Sequence, residues 1–183
     1  MRRFICAILL GLCVSMSGMS VAYSAEAGIE PFVGRYIGHS ISNMADQTSD
    51  RDFDVSITSE EERGFEVSWT TFIHRSDGAV KKKVSTISFR KTSRPGVYAS
   101  AQKKDMFGNQ VPHDPMQGDP YVWARLDGDT LSVYGFLVTD DGGYEMHSYH
   151  RTLTATGLDL EFTRQRGGTV IRRISGELRR VEN

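Results

Sequence analysis

The chain has 183 residues, 22 of them basic and 23 acidic, which gives a net charge of −1 at neutral pH. This balance argues against a general nucleic-acid binder, because such proteins carry a pronounced basic excess. Hydrophobic residues make up 39% of the sequence, enough to build the core of a single domain.

The N-terminal segment has the pattern of an export signal. Arg2 and Arg3 precede an apolar run, Phe4 to Val14, and small residues follow it. The run is shorter than the ~20 apolar residues that a membrane-spanning helix needs. We therefore expect residues 1–25 to be a signal peptide, cleaved between about residues 22 and 27. The mature protein would then be periplasmic or secreted and would not span the membrane; an uncleaved anchor is the alternative.

Both cysteines, Cys6 and Cys13, lie in the expected signal peptide. The remaining domain, residues 28–183, therefore has no disulfide, no thiolate metal site and no cysteine nucleophile. We expect its stability to come from the hydrophobic core alone, and the sequence predicts no metal site and no cofactor.

Polar clusters that contain glycine divide residues 28–183 into short segments, as at Asp127-Gly128-Asp129. Asp-Gly and Gly-Gly pairs favour the positive φ of tight hairpins, so each cluster predicts a reversal between antiparallel strands. Within the segments apolar and polar residues alternate, which is typical of strands with one buried face, as for Phe53, Val55 and Ile57. The pattern predicts one all-β domain, a single antiparallel up-and-down β-barrel of about eight to ten strands.

An outer-membrane barrel shows the same alternation, with its apolar face toward lipid. Arg172 would then lie on the lipid-facing side of the last strand, in line with Ile174 and Leu178. A charged side chain is costly at that position, so the sequence favours a soluble barrel.

One long segment, residues 103–120, interrupts the strand pattern and contains three prolines. Loops of this length are uncommon in compact domains and are often lids or binding loops. The segment is therefore either a lid over one mouth of the barrel or a solvated loop. An enzyme assembled at that mouth around His113 and Asp114 is a further hypothesis, although the sequence contains no recognised catalytic motif.

The first strand begins with a glycine, one further residue and an aromatic, Gly34-Arg35-Tyr36. This motif at the start of an up-and-down barrel resembles the calycins, in particular the avidin-like, nitrobindin-like and lipocalin-like barrels. The resemblance implies a cavity for a small molecule and a basic residue of the last strand, Arg179 or Arg180, packed across Tyr36. In the fatty-acid-binding branch, an inward arginine and tyrosine of the late strands hold an anionic ligand.

Residues on the apolar phase of the strands are the candidates for a ligand site. Arg172 is the foremost, because a buried arginine is rare unless paired and its planar guanidinium suits a carboxylate or phosphate. We expect Trp69 and Trp123 to face inward as walls of the cavity, and His150 and Tyr144 to share an inward face. The candidate ligand-binding residues are Arg172, His150, Trp69, Trp123, Tyr121 and Tyr144.

Two binding functions are consistent with this pattern, which favours a binding protein over an enzyme. The leading hypothesis is an exported soluble barrel of the bacterial envelope that binds a small, partly apolar ligand, with Arg172 favouring an anion. The alternative is a packed barrel that binds another envelope protein, through residues 103–120 or through outward aromatics such as Tyr134, Phe136 and Tyr149.

Overall fold

The computed structural model describes residues 28–44, 47–60, 64–104, 107, 110–111 and 113–182. The expected signal peptide, its cleavage sites and both cysteines lie outside these residues. Two 3-10 helices are present in the described part, Glu30–Phe32 and Pro115–Gln117. The strands there are β1 Gly34–Met44, β2 Gln47–Ser59, β3 Gly64–His74, β4 Val80–Lys91, β5 Val97–Ser100, β6 Lys103–Lys104, β7 Gln110–Val111, β8 Tyr121–Asp127, β9 Thr130–Val138, β10 Tyr144–Leu153, β11 Gly157–Arg166 and β12 Thr169–Val181.

The described strands form a closed antiparallel barrel in the order β1-β12-β11-β10-β9-β8-β5-β4-β3-β2. Successive barrel strands pair with one another, and β1 closes the ring by pairing with β12 from Arg35↔Val181 to His39↔Glu177. The predicted all-β, up-and-down barrel is therefore confirmed, with ten strands in the ring.

The predicted turns fall between consecutive strands. Between β8 and β9, for example, the chain reverses over Gly128 and Asp129, and Gly128 has a φ of 55°. An L side chain rarely adopts this left-handed conformation, which explains the glycine at that point of the hairpin.

Residues 103–120 contain local structure of their own. β6 and β7 pair with each other, and the second 3-10 helix follows them. The Asp114 carboxylate caps this helix by accepting hydrogen bonds from the Met116 backbone N–H (2.9 Å) and the Gln117 side-chain amide (2.8 Å). Residues 105, 106, 108, 109 and 112 lie outside the described part of the segment.

One end of the barrel, the closed end, is sealed by the first 3-10 helix and by Tyr36. Phe32 of this helix is fully buried, and its carbonyl accepts a hydrogen bond of 2.8 Å from the Tyr36 hydroxyl. The Arg180 guanidinium lies 5.2 Å from the Tyr36 ring centroid and donates a 2.7 Å hydrogen bond to the same hydroxyl. The basic residue expected across Tyr36 is therefore Arg180.

Buried aromatic rings fill the barrel next to the closed end. The Phe65 ring lies 5.0 Å from the ring of Phe89 and 4.9 Å from that of Tyr98, measured between centroids. All three residues are inward neighbours on β3, β4 and β5, and they belong to the hydrophobic core.

The outer face of β1, β2 and β3 carries charged pairs between strands. Arg35 and Asp54 approach to 2.8 Å. The Asp52 carboxylate lies 2.9 Å from His39 Nδ1 and 2.7 Å from His74 Nε2. Within the described residues, no helix has the length and apolar character needed to cross a membrane.

Candidate functional site: a cationic cavity in the barrel

A cavity of about 260 Å³ lies inside the barrel, on the side of the core away from the closed end. Its described lining combines aromatic and aliphatic side chains with one histidine and five cations, and it contains no acidic residue. A wall of this composition favours an anion with an apolar part. The five cations are Arg51, Lys83, Arg151, Arg164 and Arg172.

Arg151 lies at the deep end of the cavity and is 1% exposed. Its guanidinium carbon is 5.6 Å from the Trp69 ring centroid and 5.5 Å from that of Tyr149. Its Nε and Nη1 atoms are buried and have no hydrogen-bond partner among the described residues. Burial lowers the pKa of Arg151 to about 10, so the side chain is still charged at neutral pH.

Aromatic rings form the wall next to Arg151. The Tyr149 ring centroid lies 5.6 Å from that of Trp69 and 4.6 Å from that of Phe162. Burial raises the pKa of the Tyr149 hydroxyl, so it remains protonated at neutral pH and can donate a hydrogen bond. Phe53 and Ile174 complete the apolar part of the lining.

Arg51 and Arg172 lie at the opposite end of the cavity, which we call the mouth. The pKa of Arg51 is lowered, first by burial and then by the positive charge of Arg172. Two like charges thus face the same space, and an anion placed between them would relieve their repulsion. Lys83 also lines the cavity and is exposed, so the cavity reaches the surface.

Glu145 and Arg164 form an ion pair beside the mouth. The Glu145 carboxylate accepts hydrogen bonds from Arg164 Nε (2.7 Å) and Nη2 (2.8 Å), and it lies 3.3 Å from His147 Nε2. The bidentate contact with Arg164 holds the pKa of Glu145 below its usual value. Burial lowers the pKa of His147, so this imidazole is neutral at pH 7. The Glu145 carboxylate therefore neutralises the charge of Arg164.

Two of the predicted site residues, Arg172 and Trp69, line the cavity. Arg51, Arg151 and Tyr149 belong to the same wall but are absent from the predicted set. The inward position of Arg51 could have been predicted from the sequence, because Arg51 is two residues from Phe53 and shares its face of β2. The inward position of Arg151 could not be predicted in this way, because most residues on the inward face of β10 are polar.

The expected inward orientation of Trp123 and His150 is wrong. Trp123 pairs with Tyr134 on the outer face, while Val122 and Ala124 of the same strand face the core. His150 also lies outside, 2.9 Å from the Ser132 hydroxyl, and Tyr144 shares its outer face on β10.

The inward phase of β10 is instead the one that holds Tyr149 and Arg151. The orientation expected for Tyr149, which was outward, is therefore also wrong. Both phases of this strand contain aromatic and polar residues, so the alternation alone does not show which one is buried.

A row of aromatic rings runs over the outer face of β8, β9 and β10. The Trp123 ring lies 6.0 Å from Tyr121 and 5.1 Å from Tyr134, and Phe136 lies 5.8 Å from Tyr144. Tyr121 and Tyr144 are exposed. These residues form a surface feature separate from the cavity.

None of the described residues of the 103–120 segment lines the cavity. His113 Nε2 lies 3.2 Å from the Ala101 carbonyl oxygen, and the Asp114 carboxylate is occupied in capping the second 3-10 helix. The two side chains thus make separate structural contacts, and the hypotheses of a lid and of a catalytic site there stay predictions.

Among the described residues, no group of three or more histidine, cysteine, aspartate or glutamate side chains is placed to hold a metal ion. The chain matches no family model, and no curated protein or solved structure shows significant similarity to it. The resemblance to the calycins therefore stays a prediction that rests on the short motif at Tyr36.

Proposed function

We propose that this protein is an exported, soluble β-barrel that binds a small, partly apolar anion in its interior. The observation that carries the proposal is Arg151, a fully buried cation whose Nε and Nη1 atoms have no hydrogen-bond partner among the described residues. Buried polar groups are normally hydrogen-bonded, and a buried charge without a partner is costly. A carboxylate or a similar anion would supply both the hydrogen bonds and the opposite charge.

The other walls of the cavity support the same ligand class. Trp69, Tyr149 and Phe162 offer an apolar surface next to Arg151, and Arg51 and Arg172 add positive charge at the mouth. A purely apolar ligand would leave the buried Arg151 guanidinium in a dry environment, which argues for an amphipathic anion.

The distribution of polarity supports a soluble barrel. The apolar phases of the strands point into the core, as Val55, Val67 and Phe89 do. The outer face of β1 and β2 carries ion pairs such as Arg35–Asp54. A lipid-facing barrel has the reverse arrangement, with an apolar outer band.

The proposal can be tested with the fluorescence of Trp69. The chain has two tryptophans, so Trp123→Phe leaves Trp69, in the cavity wall, as the sole indole. We expect nonanoate to change its emission saturably below about 1 mM, a binding free energy of about −4 kcal/mol. The uncharged 1-nonanol should bind much more weakly. No response to nonanoate, or an equal response to both compounds, would refute an anion site.

Arg151→Gln in the same background should weaken nonanoate binding at least about tenfold, because hydrogen bonds to charged groups contribute that much. Arg125→Gln is the matched control, since Arg125 lies on the outer face of the barrel, 57% exposed, and pairs with Asp127. Equal affinities in the two variants would contradict the role assigned to Arg151.

The outer aromatic row favours the second function, binding of another protein. Tyr121, Trp123 and Tyr134 present contiguous rings on the surface, and such patches often mark interaction sites. If this is the function, Tyr121→Ser should abolish co-purification of an envelope partner and leave nonanoate binding unchanged.

A further inference from the structure

One edge of β4 is only partly paired. On the side of β3, the pairing extends over residues 80–90. On the other side β5 pairs only with residues 89–91, and the Ala101 N–H donates a 2.8 Å hydrogen bond to the Ser88 carbonyl oxygen. β6 and β7 pair with each other rather than with β4. Residues 80–87 therefore have no strand partner on this side within the described part of the chain, and we call this side the free edge.

The backbone groups that face the free edge belong to alternate residues. In an antiparallel ladder the N–H and C=O of one residue point to the same side, and those of the next residue point to the other. Because the Ser88 carbonyl points toward β5, the backbone groups of every second residue before it point away from β3. These residues are Val80, Lys82, Val84 and Thr86. Their N–H and C=O groups extend over about 20 Å of strand, at ~3.3 Å per residue.

The side chains of the free edge are exposed and positively charged. Val80 is 54% exposed and Val84 is 60% exposed, and the three lysines between them, residues 81–83, are exposed as well. Lys82 lies on the outer face, where its ammonium is 5.7 Å from the Phe72 ring centroid. Its two lysine neighbours lie on the inward face, since side chains alternate along a strand. Positive charge is thus present on both faces of this edge.

The charge of the edge decides which chain can pair with it. An exposed strand edge is a template for another extended chain. A second copy of this protein, paired edge to edge about Lys82, would place the lysines of both copies side by side, and like charges in opposite positions are destabilising. An acidic strand would instead form a pair of opposite charge at each of the three lysines, which is stabilising.

We propose that the free edge of β4 binds an extended acidic segment of another protein, which adds to the sheet as a further strand. Backbone hydrogen bonds to alternate residues of β4 hold the segment in place. Three successive acidic side chains pair with Lys81, Lys82 and Lys83, and apolar side chains on either side of them contact Val80 and Val84. This binding does not require a ligand in the cavity.

The peptide Thr-Val-Glu-Glu-Glu-Val-Thr, with blocked termini, is a suitable probe. Its sequence reads the same in both directions, so it fits either strand orientation. Titrated by calorimetry at neutral pH and fixed ionic strength, it should bind at least about tenfold more tightly than Thr-Val-Lys-Lys-Lys-Val-Thr. Failure of the acidic peptide to bind, or equal affinities of the two peptides, would overturn the inference.

Amide hydrogen exchange, followed by NMR, tests the mode of binding. In the free protein the amides of Val80, Lys82, Val84 and Thr86 should exchange fast, whereas those of the intervening residues are protected by the ladder with β3. The acidic peptide should slow the exchange of these four amides at least about tenfold. Peptide binding without this protection would contradict strand addition. Protection in the free protein would show that the chain itself or a second copy covers the edge, which also overturns the inference.

Val84→Pro removes an N–H that faces the free edge and keeps the ladder with β3, the one situation in which a sheet tolerates proline. This variant should bind the acidic peptide at least about tenfold more weakly. Val84→Thr is the matched control, because it retains the N–H and should bind as the parent does. Thermal unfolding shows that both variants are folded, and both should keep their affinity for nonanoate, so this inference and the proposed function can fail separately.

Vesicles of phosphatidylglycerol test whether the lysines bind an anionic lipid surface instead. If the parent and Val84→Pro bind the acidic peptide equally well, or if only the vesicles bind, charge attraction alone accounts for the site and the inference is overturned. We expect the peptide to bind the parent and to be lost from Val84→Pro.

Discussion

Replacing Arg151 with methionine should make the ligand-free barrel more stable. Burial of the charged form lowers the pKa of Arg151 to about 10, well below the ordinary value of an arginine, which corresponds to about 3 kcal/mol of destabilisation. Methionine keeps much of the side-chain length and removes the charge and both unsatisfied nitrogens, Nε and Nη1. The variant loses the contacts of the guanidinium with Trp69 and Tyr149, worth about 2 kcal/mol in total at this desolvated site.

The expected net gain is about 1 kcal/mol in the free energy of unfolding, or about 2–4 °C in Tm. It can be measured by urea unfolding, followed by circular dichroism, of protein refolded without ligand. Arg125→Met, on the exposed face, should change the free energy by less than about 0.5 kcal/mol. A loss of more than about 1 kcal/mol in Arg151→Met would refute the reasoning, because it would show that the folded protein compensates this charge.

Three further predictions concern the rest of the barrel. Arg180→Gln removes the contacts with the Tyr36 ring and hydroxyl, so the free energy of unfolding in urea should fall by about 1–2 kcal/mol; a concomitant loss of nonanoate affinity would contradict a purely structural role. Hydrogen bonding to Asp52 raises the pKa of His39, so the contribution of His39 to stability is complete below its ordinary pKa of 6.5 and disappears as the pH rises through the raised value. Asp52→Asn should lower the pKa of His39 in an NMR titration of its ring protons, and an unchanged pKa would contradict the assignment. In Gly64→Ala the new Cβ would lie 1.9 Å from a backbone oxygen of β4. The Tm should therefore fall by an amount equivalent to at least about 2 kcal/mol. A Tm within about 2 °C of the parent protein would show that β4 can shift to make room.

The barrel itself could be predicted from the sequence because turn chemistry and period-two alternation are local properties. The reversal at Gly128 and the inward face of Phe53 and Val55 depend on residues within a few positions of one another. The inward positions of Trp69 and Arg172 were predicted for the same reason, since each follows a clean apolar phase.

The site was harder to predict because its chemistry contradicts the pattern. A cationic cavity requires charged residues on the inward phase, and on β10 this made the inward residues Glu145, His147 and Arg151 more polar than the outward ones. Alternation then assigns the strand to the wrong side, which explains the errors for His150 and Tyr149. Only the register with β9 and β11 shows which phase faces inward.

The pairing of β1 with β12 has a consequence for how the barrel folds. The other neighbouring pairs in the ring follow one another along the chain, apart from β5 and β8, which are separated by residues 101–120. The ladders between successive strands can therefore form from the turns outward. The β1–β12 ladder instead joins residues at opposite ends of the domain, and its loop-closure entropy is the largest of all. Ring closure is therefore expected to come late in folding. The contact between Tyr36 and Arg180, which joins these two strands, should then slow unfolding more than it accelerates folding.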